Sequence, residues 1–250
     1  MPTQTDPIKL YYWPTPNGWK ISIMLEELGV PYDIEYVNIG AGDQFKPDFL
    51  AISPNNRMPA IVDPEGPGGA PISVFESGAI LQYLGRKFGQ FYPTEERARV
   101  AVEEWLFWQI GGLGPMAGQA HHFRNYAPEQ IAYGIDRYTN EVNRLYGVMN
   151  RRLKDNEYLG GADYSIADMA IWSWYGQLVL GRLYSAAEFL DVTSYKNVMR
   201  WAEAIDARPA VTRGRMVNRA FGDDLSMQLH ERHDASDFDT KTQDKVGSES

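Results

Sequence analysis

Cysteine is absent from the 250 residues. That excludes a cysteine nucleophile, a disulfide framework, a zinc–thiolate site and a protein-borne Cys-x-x-Cys redox pair. Any thiol chemistry must use a thiol that a ligand brings. Positive charge is also short. Lys and Arg number 24 against 33 Asp and Glu, a formal charge of −9, which argues against nucleic acid as a partner, since that needs a positive field. No run approaches the ~20 apolar residues of a transmembrane helix. Met1 to Pro7 carries no signal-peptide pattern. A soluble, cytoplasmic protein without a membrane partner is expected. There is no Gly-x-Ser-x-Gly elbow of a serine hydrolase. The four histidines are His121, His122, His230 and His233. Adjacent histidines project in different directions on a helix, and the second pair has no obvious third ligand, so no metal site is expected. Gly111-Gly112-Leu113-Gly114 follows a helical pattern and not a strand, so it does not read as a dinucleotide loop.

What is present is ordinary globular material: 44% hydrophobic and 23% charged residues, near the usual averages. At roughly 150 residues per domain the length fits one or two domains. The charge is uneven. Residues 222–250 hold eight acids and three bases, and a polar acidic tail of this kind reads as disordered on composition. Phe221 to Phe238 also contains Leu225, Met227 and Leu229, so this stretch could dock along the body.

The first 90 residues alternate strand and helix signals. Ile8–Trp13 reads as a strand stopped by Pro14 and Pro16. Asn17–Leu28 has helical apolar spacing and ends at Gly29 and Pro31. Tyr32–Ile39 is a second strand and Phe45–Leu50 a short helix. Ala60–Asp63 and Ile72–Phe75 are strands joined by the turn Pro64–Gly69. Ser77–Phe88 is a helix. The β-α-β-α-β-β-α order predicts a compact mixed sheet with helices on its faces. After a linker at Gln90–Thr94 the pattern is helical. Thr94 is the expected N-cap of a helix running to about Ile110, where Gly111–Pro115 should kink or break it. Pro128–Asn156 is a long amphipathic helix. Ser165–Asp168 is a capping box. Tyr195–Asp206 is a further helix. The expected division is residues 1–90 as an α/β domain, 94–220 as an all-helical domain, and 221–250 as a tail.

Three constellations could carry chemistry, and each has a structural alternative. Met58-Pro59 precedes a strand. A cis bond in a tight turn is one solution for a proline there, although cis is the minority form. Such a turn would leave the Met58 backbone to pair with an extended peptide ligand. Glu76-Ser77 opens a helix. Ser77 is either a plain N-cap beside a surface acid or, with Glu76, the site for a ligand's α-carboxylate and α-ammonium. Thr15-Pro16-Asn17-Gly18 is either a turn and cap or a pair of donors that stabilise a ligand thiolate at a helix N-terminus.

Together these residues resemble the glutathione transferases, in which a thioredoxin-like N-terminal domain precedes an all-α C-terminal domain. More narrowly they resemble the bacterial nu class of glutathione disulfide-bond oxidoreductases, the YghU and YfcG type. The resemblance rests on Thr15-Pro16-Asn17-Gly18, Gly42-Asp43-Gln44-Phe45, Ser53-Pro54-Asn55-Asn56-Arg57-Met58-Pro59-Ala60, Phe75-Glu76-Ser77-Gly78-Ala79-Ile80, Trp105-Leu106-Phe107-Trp108 and Tyr164-Ser165-Ile166-Ala167-Asp168. The tail from Gln228 to Asp239 looks like the YghU branch, and that likeness implies packing at least to Phe238.

The resemblance implies glutathione as co-substrate, with no metal and no nucleotide, and a homodimer. Thr15 and Asn17 would stabilise its thiolate. Met58, before cis-Pro59, would pair with the cysteinyl unit, and Glu76 and Ser77 would hold the γ-glutamyl end. Gln44 and Asn56 or Arg57 would meet the remaining polar groups. Arg137 is a helix-surface salt-bridge residue or, on the resemblance, reaches a glutathione carboxylate from the helical domain or the partner subunit. Trp19, Tyr126 and Tyr184 are the candidates for the acceptor pocket. The implied activity is reduction of small disulfides, with transferase, peroxidase or thioether-cleaving side activity. The alternative is a non-catalytic glutathione-binding or regulatory protein of the same fold.

Overall fold

The computed structural model describes residues 4–182 and 189–217. The chain opens with β1 (Ile8–Tyr12), α1 (Pro16–Leu28), β2 (Tyr32–Tyr36) and α2 (Pro47–Leu50), then β3 (Ala60–Asp63), β4 (Ile72–Phe75) and α3 (Ser77–Phe88). The strands form one sheet in the order β2-β1-β3-β4. β1 and β2 are parallel, joined by the α1 crossover, while β3 runs antiparallel to both β1 and β4. The period of two decides which side of β1 is buried: Ile8, Leu10 and Tyr12 are buried and Lys9 is exposed. β3, β4 and α3 have the limits read from the sequence.

Several boundaries differ from expectation, each for a local reason. β2 ends at Tyr36 and not at Ile39. Val37 N–H still donates to the Tyr12 carbonyl, but β1 stops there and no further partner exists. The chain then turns, with Asn38 N–H held by the Asp43 carboxylate. A 3-10 turn, Asp43–Phe45, replaces the start of the expected short helix. Glu76 is the N-cap of α3 and Ser77 its first residue, so Ser77 is not the cap.

The second half is helical: α4 (Glu96–Trp108), α5 (Gly114–His121), α6 (Ala132–Arg152), α7 (Ile166–Ile171), α8 (Gln177–Val179), α9 (Lys196–Asp206) and α10 (Pro209–Met216). Glu95, not Thr94, caps α4, its carboxylate accepting from Arg97 and Ala98 N–H. Gly111–Pro115 does not break the rod. A π-helical turn, Gln109–Leu113, joins α4 to α5, and Gly114 N–H reaches back five residues to the Gln109 carbonyl. The wider turn accommodates Pro115, which has no N–H to give. A second π turn, His122–Tyr126, extends α5. α6 starts four residues later than expected, because Ala127, preceding Pro128, is held extended at ψ 131°. A third π turn, Trp172–Gly176, joins α7 to α8. The capping box at α7 forms as expected. The buried Asp168 carboxylate also accepts from Leu159 N–H and the Trp201 indole.

One continuous apolar core spans the sheet and the helices, from Ile8 through Trp172 and Trp201 to Val211. α10 is clasped onto α1. Arg208 makes a bidentate pair with Glu27 at 2.6 and 2.8 Å, Arg213 bonds Glu26 at 2.6 Å, and Ser22 Oγ donates to the Gly214 carbonyl at 2.7 Å. A Cβ at Gly214 would lie 2.7 Å from Ile23 Cα, so only glycine allows this approach. The acidic tail after Phe221, with His230 and His233, lies outside the described residues, as does Tyr184.

Candidate functional site

A cavity of about 480 Å³ opens where α1, β4, α3 and the helical half meet, a volume in the range of small-molecule sites. Its floor is the N-terminus of α1. Thr15 caps this helix, its Oγ1 accepting from Gly18 N–H at 3.2 Å. The acceptor function is thereby used, and the remaining O–H donates to Met58 Sδ at 3.7 Å. A thioether is a weak acceptor, so a ligand anion would displace it readily. Asn17, two residues into the cavity wall, accepts from the Trp174 indole N–H through Oδ1 at 3.0 Å. A Cβ at Gly18 would fall 2.3 Å from the Trp13 carbonyl, which is why glycine lies between these two polar residues and the end of β1.

The second wall comes from the turn before β3. Ser53 Oγ donates to the Arg57 carbonyl at 2.7 Å and Asn56 N–H to the Ser53 carbonyl at 3.0 Å. This closes a turn in which Asn56 adopts φ 47°, a conformation asparagine tolerates better than most residues. The Met58–Pro59 bond is cis. The third wall is the β4–α3 junction. Glu76 is held at φ 70°, ψ 117°, a strained conformation for a residue with a side chain, of the kind that gathers at functional sites. Its carboxylate is exposed and Ser77 beside it is buried.

Thr15, Asn17, Asn56, Arg57, Met58, Glu76 and Ser77 therefore share one cavity. Other residues named from the sequence lie elsewhere. Gln44 is buried behind the wall, where its Nε2 donates to the carbonyl of Ile39 at 3.2 Å, while Ile39 itself faces the cavity. Pro59 is buried at the foot of β3. Trp19 does not line the cavity. Successive helix positions diverge by about 100°, so Asn17 and Lys20 face the cavity while Trp19, 5% exposed, packs into the core beneath the Arg215 guanidinium. Tyr126, in the second π turn, and Arg137, exposed on α6, are not among the lining residues. Among the described residues no group of His, Asp and Glu could hold a metal, and no helix is long and apolar enough to cross a membrane.

Sequence reasoning missed the contributions that arrive from far along the chain. Lys20, 2% exposed, donates from Nζ to Gln109 Oε1 at 2.8 Å and to Ser77 Oγ at 3.3 Å. Burial lowers its pKa to about 7, and the nearby Glu76 carboxylate offsets part of that fall. A lysine inside the apolar run from Trp19 to Leu25 was the available signal. Gln109 and Trp174 enter from two π turns, and Ile110, Gly114, Pro115, Gly118 and Gln119 complete the helical wall. The assembled cavity has hydroxyl and amide donors at a helix N-terminus, a carboxylate and a hydroxyl at a second helix start, and a buried cation behind them. It suits an extended ligand with an anionic atom at one end and a zwitterionic amino acid at the other.

Comparison with known proteins gives a consistent picture. The family model described as glutathione S-transferase, N-terminal domain, matches residues 6–86, and the glutathione S-transferase C-terminal domain matches residues 122–209. The disulfide-bond oxidoreductase YghU of Escherichia coli is 49% identical over 98% of this chain and 86% of its own. The disulfide-bond oxidoreductase YfcG of the same organism is 49% identical over 88% of this chain and 99% of its own. A glutathione transferase from Pseudomonas putida, solved with one glutathione disulfide bound per subunit, superposes with a TM-score of 0.81 at 43% identity, covering 84% of this chain and 91% of the other.

Proposed function

Because the chain belongs to the glutathione S-transferase family, we propose that it is a glutathione-dependent disulfide-bond oxidoreductase of the nu class. The observation that carries this reading is the meeting of Thr15, Asn17, Met58, Glu76 and Ser77 on one cavity, in a chain with no cysteine of its own. The reactive sulfur is then the ligand's. Two similar proteins named as disulfide-bond oxidoreductases and a similar structure holding glutathione disulfide support the same conclusion.

In this reading glutathione lies along the cavity. Glu76 meets its α-ammonium, Ser77 its α-carboxylate, and the Met58 backbone its cysteinyl unit. Asn56, Arg57 and Gln44 serve the remaining polar groups. The Thr15 hydroxyl, the Asn17 amide and the α1 dipole lower the thiol pKa from its free value of roughly 8.5. The thiolate attacks one sulfur of a small disulfide. A glutathione–sulfur bond forms, the old S–S bond breaks, and the leaving thiolate takes up a proton. A second glutathione thiolate attacks the mixed disulfide, which yields glutathione disulfide and the second product thiol. The protein contributes binding, orientation and the lowered thiol pKa. Residues 1–90 hold glutathione and residues 94–220 supply the acceptor wall.

We place the protein in the cytoplasm as a homodimer. The exposed Phe75, Val100 and Phe107 support a partner face on β4 and α4, and Arg137 is exposed and free to reach a neighbouring subunit's glutathione. The test is glutathione-dependent reduction of a small mixed disulfide, coupled to glutathione reductase. Wild type should turn over robustly and Thr15→Ala at least tenfold more slowly, a loss of about 1.4 kcal/mol of transition-state stabilisation. Glutathione binding without any turnover would replace this reading with a regulatory role.

A further inference from the structure

The geometry points to Trp174 as the positioning residue that turns the Asn17 amide so that its NH2 group, and not its carbonyl, faces the ligand sulfur. This inference rests on the thiolate reading of the cavity given above. Asparagine amides are nearly symmetric in shape, so an asparagine beside an anion needs something to decide which end it presents. The carbonyl end would repel a thiolate and the NH2 end would donate to it. Trp174 makes that choice. An indole N–H can only donate, so its partner on Asn17 must be Oδ1, and the contact at 3.0 Å leaves no room for the opposite orientation. Among the described residues nothing accepts from the Asn17 NH2 group, which is thus left for a ligand.

Trp174 can act in this way because its own position is fixed. It sits in the middle of the π turn Trp172–Gly176, whose other members are buried. Trp172 Nε1 donates to the Ala202 carbonyl at 3.0 Å and Ser173 Oγ to the Met169 carbonyl at 2.9 Å. A Cβ at Gly176 would come within 2.3 Å of the Trp172 ring, so this turn is packed to contact on its inner side. The π turn adds one residue to the helical repeat and swings a single side chain out of the buried phase. That side chain is Trp174, half-buried and lining the cavity. Tertiary contact across 157 residues therefore sets the polarity of a group in the first turn of α1.

The experiment follows the pKa of the protein-bound glutathione thiol, read from thiolate ultraviolet absorbance against pH, beside kcat/KM for a small mixed disulfide. Trp174→Phe keeps an aromatic ring and removes the N–H. It should raise the bound-thiol pKa by about 1 and lower kcat/KM about tenfold near neutral pH. The affinity for S-methylglutathione, which has no thiol, should stay within about twofold and serves as the check on folding. In an Asn17→Ala background the same change should have no further effect, because the two residues act as a unit. Asn17→Asp is the second variant. It retains an oxygen for the indole but replaces the NH2 group with a carboxylate oxygen, and it should raise the thiol pKa more than Trp174→Phe does. An unchanged thiol pKa in Trp174→Phe or in Asn17→Asp overturns the inference. So does an equal loss from Trp174→Phe with and without Asn17, which would make Trp174 an independent contact to the acceptor. A wild-type protein that binds glutathione with its ordinary thiol pKa fails the functional reading itself, and that result is seen before any Trp174 variant is made.

Discussion

Lys20 is the single charged side chain on the buried face of α1, and its burial has a pH signature. Its pKa in the fold is about 7 against an ordinary 10.5. Between those values the unfolded chain holds a proton that the folded chain lacks, so stability rises with pH across that window. Lys20→Met removes this dependence. Denaturant melts from pH 7 to 10 should show wild type gaining stability relative to Lys20→Met as the pH climbs, and parallel curves would refute the lowered pKa. Asn17 and Glu76-Ser77 were legible in the sequence because polar groups at a helix start have few roles, and anion binding is one of them. Lys20 was not, since apolar periodicity treats a lysine as solvent-facing. Trp19 was misplaced by the converse error: adjacency in sequence is not adjacency on a helix, and its ring went to the core.

At the scale of elements, α1 carries the thiol end of the cavity, and its position depends on α10 pressing from behind. The Gly214 carbonyl and the two arginine–glutamate pairs hold that contact. Gly214→Ala would drive a Cβ against the Ile23 backbone, 2.7 Å from its Cα. Overpacking of this kind costs about 1–3 kcal/mol, and for a domain of this size about 2–4 °C in Tm for each kcal/mol. Thermal melts of Gly214→Ala should therefore fall by several degrees, and an unchanged Tm would mean that α10 is not packed this tightly. β3, β4 and α3 were read to the residue because proline and glycine turns bound them. The helical half was legible as helix but not in phase. Each π turn advances the chain by an extra residue, so Gln109 and Trp174 moved to a face that a 3.6-residue period does not assign.

At the scale of the molecule, the sheet and the helices share one core, so the cavity between them is a fixed seam and not a cleft between loose domains. The apolar residues left outside that core are few. Phe107 is 61% exposed and Val100, one heptad before it on α4, is 41% exposed. Phe107→Glu should convert the dimer proposed above to a monomer in sedimentation velocity. If Arg137 serves the neighbouring subunit, glutathione affinity should fall with it. A monomeric wild type would remove that role for Arg137. The cavity wall holds one sulfur, the Met58 thioether, and every nucleophilic sulfur arrives and departs with a substrate. An oxidant that carries the nucleophile past the sulfenic stage, a change irreversible for most protein cysteines, spoils a small molecule that diffuses away. The machine is restored by exchange of its ligand, with no repair enzyme and no new protein synthesis.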